Sequence, residues 1–133
     1  MPLVRIDLQR GRTPEELRRL ADTVQEVMLD VFAAPPRDRY QIITEHPTGH
    51  IIAEDTGLGL ERSDGVVIIQ IIQQGRSNDQ KVAAYAELAK RLEAECGGRP
   101  EDLIISVMSN RPADWSFGLG QAQFVDGTLH SPI

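Results

Sequence analysis

Residues 66–77 read VVIIQIIQQGRS. The first seven form a continuous, largely β-branched run, the pattern of a central strand. The run stops at Gln73-Gln74-Gly75, and Ser77 followed three residues later by Gln80 is a capping box that opens a helix. Val82, Tyr85, Ala86, Ala89 and Leu92 then recur at helical spacing until Gly97-Gly98 ends the periodicity. LIISVM at 103–108 supplies another strand. Strand, helix and strand in this order make a β-α-β unit, whose crossover sets its two strands parallel.

The same order appears earlier in the chain. Thr13, Pro14 and Glu16 mark a helix start, and Leu17, Leu20, Ala21, Val24, Val27, Met28, Val31 and Phe32 keep one face apolar up to Pro35-Pro36. This predicts a helix of about 20 residues. Before it Val4, Ile6 and Leu8 alternate with Arg5 and Asp7; after it YQIIT is rich in strand formers. QRGRT at 9–13 lies over QQGRS at 73–77, and PRD at 36–38 over PED at 100–102, both at an offset of 64. An internal duplication follows, with repeats over about 2–45 and 66–109 of one domain spanning 1–133. The expected fold class is α/β of the α+β kind: duplicated β-α-β units sharing a four-stranded mixed sheet, with two helices on one face. EHPTGH and EDTGLGLERSDG read as turns around a short strand at IIAE (51–54), and QAQFVDGTL as a short C-terminal hairpin turning at Asp126-Gly127.

Composition narrows the function classes. In 133 residues, 14 basic against 20 acidic side chains leave a net charge of -6, which argues against a nucleic-acid binder. No apolar run approaches the roughly 20 residues of a membrane span, and no signal-peptide core is visible, so a cytoplasmic protein is expected. The single Cys96 has no internal disulfide partner and reads as a small core residue beside Leu92. His46 and His50 are four apart, but Pro47 and Gly49 between them forbid an aligning helix, so they read as loop residues rather than metal ligands. Neither GLG motif has the strand-then-helix context of a nucleotide site. No metal or cofactor is expected.

The topology predicts a meeting point. Pro2 starts the first strand and Asp38 precedes the second; with the units antiparallel, the third strand delivers Gln73, Gln74, Gly75 and Arg76 to the same end. Once Met1 is trimmed, Pro2 carries a secondary amine, an acid when protonated and a base or nucleophile when not. The planar fork of Arg76 matches a carboxylate. Asp38 is either a proton acceptor or a turn carboxylate, and its duplicate Asp102 keeps the second reading open. Trp115 and Phe117 belong to a small aromatic set of one Trp, two Tyr and three Phe, and read as a pocket wall or as core.

With Pro2, the DRYQ stretch at 38–41, EDTGLG at 54–59, GRS at 75–77 and DWSFG at 114–118, the chain resembles the tautomerase superfamily, and within it the malonate semialdehyde decarboxylase group. The resemblance runs from Pro2 to about Leu129. It implies a homotrimer without a cofactor, acting on a small carboxylate-bearing oxo acid. It implies Pro2 as the catalytic amine, Asp38 as its support or as activator of water, and Arg76 as the grip on the substrate carboxylate. Trp115 and Phe117 then form the wall, with Phe124 and Leu129 beside them. Gln74 stands where the family has a first arginine, a neutral hydrogen-bonding group in place of a charge. The implied reaction is decarboxylation of a 3-oxo acid such as malonate semialdehyde to acetaldehyde and CO2. Keto-enol tautomerisation of a phenylpyruvate-like 2-oxo acid, with a hydratase side activity, is the alternative, and a non-catalytic trimeric interaction protein a second one. A low Pro2 pKa favours proton shuttling and a high one the decarboxylase.

Overall fold

The computed structural model describes residues 2–130. The chain runs β1 (Leu3–Gln9), α1 (Pro14–Asp30), β2 (Tyr40–His46), β3 (Val67–Gln74), α2 (Asn78–Cys96) and β4 (Leu103–Asn110), with 3-10 turns at Pro100–Asp102 and Pro112–Asp114. The strands make one sheet in the order β2-β1-β3-β4. β1 pairs with β2 and β3 with β4 in parallel, while β1 and β3 meet antiparallel. Both capping boxes form: Thr13 and Glu16 exchange hydrogen bonds of 3.0 and 3.1 Å, as do Ser77 and Gln80.

Strand alternation decides what is buried. Val4, Ile6 and Leu8 of β1 and Val67, Ile69 and Ile71 of β3 pack against Leu20, Val24, Val27 and Met28 of α1 and Ala84, Leu88 and Leu92 of α2. Each Val, Leu, Ile or Met among them contributes about 1.5–3 kcal/mol on burial, so this one layer holds the helices to the sheet. The opposite sheet face carries Leu3, Tyr40, Ile42, Ile68, Ile72, Ile104 and Met108 by register. On that face Ile42 is 43% and Met108 62% exposed. Among the described residues no helix is long and apolar enough to cross a membrane.

Five expectations are corrected. First, α1 stops at Asp30, short of Pro35-Pro36, because Ala33 takes a left-handed φ of 53° and Ala34 N–H turns back to the Met28 carbonyl at 3.1 Å. The strain of roughly 1–2 kcal/mol is offset by burying Phe32, which is 1% exposed. Second, residues 51–54 join no strand among the described residues, and Ile52 there is 86% exposed. Third, residues 121–129 form successive turns instead of a hairpin. The Asp126 carboxylate accepts from Thr128 N–H at 2.9 Å, and Val125 and Asp126 N–H both reach the Ala122 carbonyl at 2.9 Å, so the backbone is satisfied locally. Fourth, His46 closes β2 and places Nε2 2.7 Å from Asp7 Oδ1, so it is a strand residue. Fifth, Cys96, the last residue of α2, is only half-buried, with its sulfur 3.8 Å from Thr23 Oγ1.

Candidate active site

The starts of β1 and β2 and the ends of β3 and β4 share one rim of the sheet. Leu3 lies opposite Tyr40 on one side and Ile72 on the other, so the buried Pro2 stands one step beyond, flanked by the chain near Arg39 and near Gln73. Asp38 is half-buried in the turn ahead of β2, its N–H donating to the Pro35 carbonyl at 3.0 Å. Its Oδ2 is buried and finds no hydrogen-bond partner among the described residues. Burial pushes the Asp38 carboxyl above its ordinary value, and the positive charge of the amino terminus works against that rise.

Asp102, 64 residues on, makes the same backbone turn, its N–H donating to the Arg99 carbonyl at 2.9 Å. Its carboxylate, however, accepts from Ser63 N–H at 2.7 Å, Ser63 O–H at 2.5 Å and Arg99 at 3.4 Å. Burial alone would raise its pKa, but Ser63, Arg99 and Arg62 together hold it below the ordinary value. Arg12 of the same region donates to the Gly65 carbonyl at 3.3 Å. What is left there is a cavity of about 30 Å³ lined by Arg12, Gly65, Cys96 and Asp102 among others, room for about one water. At the second unit's end the chain segment 63–65 uses up the polar groups, whereas at the Pro2 end the aspartate keeps a buried oxygen unused.

Arg76 immediately precedes the Ser77 cap of α2. Its Nε donates to the Phe32 carbonyl and its Nη1 to the Gln74 carbonyl, both at 2.9 Å, and its guanidinium carbon lies 5.9 Å from the Phe32 ring centre. The early turn at Ala33 is therefore what presents a carbonyl to this arginine. Among the described residues no carboxylate pairs with it. Burial lowers its pKa, but a guanidinium remains charged throughout the physiological range. A fixed, half-buried cation without an internal counter-charge is suited to an anionic ligand.

Gln74 is buried on the sheet face away from the helices, opposite Asn110 of β4. Asn110 Oδ1 accepts from Trp115 Nε1 at 2.9 Å, which fixes the indole. Trp115 stacks on Phe117 at 5.4 Å and 8°, Tyr40 stacks on Phe117 at 5.8 Å and 25°, and Phe124 meets Phe117 edge-on at 5.5 Å. Gln123 pins the loop: its Oε1 accepts from Phe117 N–H at 3.0 Å and its Nε2 donates to the Gly118 carbonyl at 2.9 Å. Leu129 is 39% exposed at the end of this loop, its N–H donating to the Gln123 carbonyl. Trp115, Phe117 and Phe124 are thus brought together. Sequence reasoning missed Tyr40, Asn110 and Gln123 as parts of this array. Tyr40 carried a signal, being an aromatic two residues after Asp38 at a strand start; Asn110 and Gln123 carried none.

Family models described as tautomerase enzyme match residues 2–61 and 38–118. The probable tautomerase YrdN of Bacillus subtilis (strain 168) is 47% identical over 97% of this chain and 100% of its own length. The chain belongs to the tautomerase family. The chain also resembles two solved structures over nearly their whole length. One is malonate semialdehyde decarboxylase, at 43% identity and a TM-score of 0.92, covering 96% of this chain and 98% of that one. The other is the FG41 malonate semialdehyde decarboxylase inhibited by 3-bromopropiolate, at 45% identity and a TM-score of 0.93, covering 98% and 99%.

Proposed function

We propose that this chain is a cofactor-independent decarboxylase of a small 3-oxo acid, working through the secondary amine of Pro2 after Met1 is removed. The observation that carries the reading is the difference between the two aspartates of the turn pair. Asp102 is consumed by Ser63 and Arg99, while Asp38 keeps a buried, unpartnered oxygen at the rim that also holds Pro2 and the uncompensated Arg76. The two decarboxylase structures support it.

Arg76 holds the substrate carboxylate, with Gln74 as a neutral companion donor. Trp115, Phe117, Phe124 and Leu129 wall off water, which strengthens the polar contacts inside. Protonated Pro2 donates to the aldehyde oxygen; in the alternative route the unprotonated amine adds to the aldehyde carbon and the aldehyde oxygen leaves as water, giving an iminium. As the carbon–carbon bond to the carboxylate breaks, its electron pair passes into this sink and CO2 leaves. Protonation at carbon then gives acetaldehyde, with hydrolysis returning the amine in the iminium route. Asp38 supports the ammonium. The exposed apolar sheet face supports a homotrimer, and the lone half-buried Cys96 suits a reducing, cytoplasmic setting.

Keto-enol tautomerisation of a 2-oxo acid is the second reading, favoured by the relative named a probable tautomerase. Proton NMR of malonate semialdehyde with protein whose mass confirms Met1 removal, beside Pro2→Ala, separates them. Acetaldehyde forming faster with the parent alone is expected. No acceleration, together with enol–keto exchange of phenylpyruvate by the parent, moves the assignment to tautomerase chemistry.

A further inference from the structure

Gln73 ends the core-facing row of β3, following Val67, Ile69 and Ile71, and is fully buried. Neither its Oε1 nor its Nε2 has a hydrogen-bond partner among the described residues. A buried amide left unpaired costs free energy and calls for a physical reason. Extending the antiparallel register one step past Leu3 and Ile72 sets Gln73 opposite Pro2, and alternation puts Pro2 on the same side as Val4. Such neighbours have Cβ atoms about 4.5–5.5 Å apart, within reach of a glutamine side chain. From the turn ahead of β2, on the other flank of Pro2, comes Asp38, whose Oδ2 is likewise buried and without a partner among the described residues.

A proline nitrogen inside a peptide bond has no hydrogen to donate. Hydrolysis of the Met1–Pro2 bond releases methionine with its new carboxylate and leaves the ring nitrogen as a secondary ammonium with two N–H donors. Two donors then appear where two buried acceptors lack partners.

We propose that Gln73 Oε1 and Asp38 Oδ2 each accept one N–H of the trimmed Pro2, so that Gln73 is a positioning residue that aims the ring nitrogen and keeps it protonated. The proposal rests on the reading above only in requiring Met1 removal. The charged groups around this rim are Asp38, which favours the ammonium; the half-buried Arg76 at the β3–α2 junction, which opposes it; Arg39, which is engaged by Asp22 at 2.6 Å; and the exposed Arg37, Asp79, Arg111 and Asp114, whose fields water and salt screen. Gln73 adds a neutral acceptor that leaves the net charge of the site unchanged.

The test is an NMR titration of trimmed, 15N-proline-labelled protein without substrate, since Pro2 is the one nitrogen among eight prolines that can titrate. Gln73→Met is expected to lower the Pro2 pKa by about one unit, equivalent to about 1.4 kcal/mol, and Gln73→Glu to raise it. Gln73→Asn, which draws the amide back by one methylene, reads the same loss should the Met variant fail to fold. A Pro2 pKa unmoved by these changes but shifted by Asp38→Asn overturns the proposal, as does purified protein that retains Met1. Because no substrate is present, the expected shifts in a protein that fails to decarboxylate support the cradle while removing the proposed reaction. Decarboxylation with no shift does the reverse.

Discussion

Replacing Asp102 and Asp38 by alanine, one at a time, is expected to split stability from activity. Asp102 is 3% exposed and accepts two short hydrogen bonds from Ser63, at 2.7 and 2.5 Å. Hydrogen bonds to a charged group contribute about 1.5–3 kcal/mol each, and the 3.4 Å contact with the half-exposed Arg99 adds little. Water entering the small neighbouring cavity recovers part of the loss, so Asp102→Ala is expected to cost about 3 kcal/mol. In protein that keeps Met1, Asp38→Ala removes a buried oxygen with no hydrogen-bond partner among the described residues, and the turn's Asp38 N–H to Pro35 bond is backbone and survives. Its cost is expected to lie between about zero and 1 kcal/mol. Urea melts of protein with Met1 retained, at matched concentration, give both numbers, and decarboxylation rates of the trimmed protein complete the comparison. Asp102→Ala should keep its turnover where folded, while Asp38→Ala should lose about a hundredfold or more. A cost below about 1 kcal/mol for Asp102→Ala, or one for Asp38→Ala of similar size to that expected for Asp102, refutes the division of labour drawn between the two turns.

Other outcomes follow from the same geometry. Arg76→Ala should raise KM for a carboxylate substrate roughly 10- to 100-fold, the loss of a charge-assisted contact, and an unchanged KM in steady-state assays places the carboxylate elsewhere. Asp102 has a lowered folded pKa, so its contribution is fully present above the unfolded value near 3.9 and is lost as pH falls through the folded value. Acid unfolding of Asp102→Asn should therefore converge on the parent below about pH 4, and a constant difference down to pH 2 contradicts this linkage. Ile42→Glu with Met108→Glu, both on the open sheet face, should shift sedimentation from trimer to monomer, whereas a parent that sediments as a monomer removes that assembly.

Much of this architecture is legible in local chemistry. Thr13-Glu16 and Ser77-Gln80 are capping boxes because a hydroxyl and a carboxylate or amide three residues apart satisfy the first backbone donors of a helix wherever it sits. The alternation of Val4, Ile6 and Leu8 and the run at 66–72 name their strands by their own spacing, and the offset of 64 orders the two units. The rim itself follows, since parallel crossovers and one antiparallel junction leave no other place for Pro2, Asp38 and Arg76.

Where local signals were weak, tertiary context decided. Asp126-Gly127 has a hairpin's turn residues, yet Thr128 N–H donates to the Asp126 carboxylate and the flanks make turns, because among the described residues no strand pairs with them. Asp38 and Asp102 occupy matching positions in similar tripeptides, and only the arrival of Ser63 at one of them, 39 residues away along the chain, makes that carboxylate a brace and leaves the other unspent. The same holds for Asn110 beneath Trp115 and Tyr40 against Phe117. Spacing along the chain specifies hydrogen bonds that close within a turn of helix or along a strand. Whether a buried polar group finds its partner depends on segments that meet only after the sheet has formed.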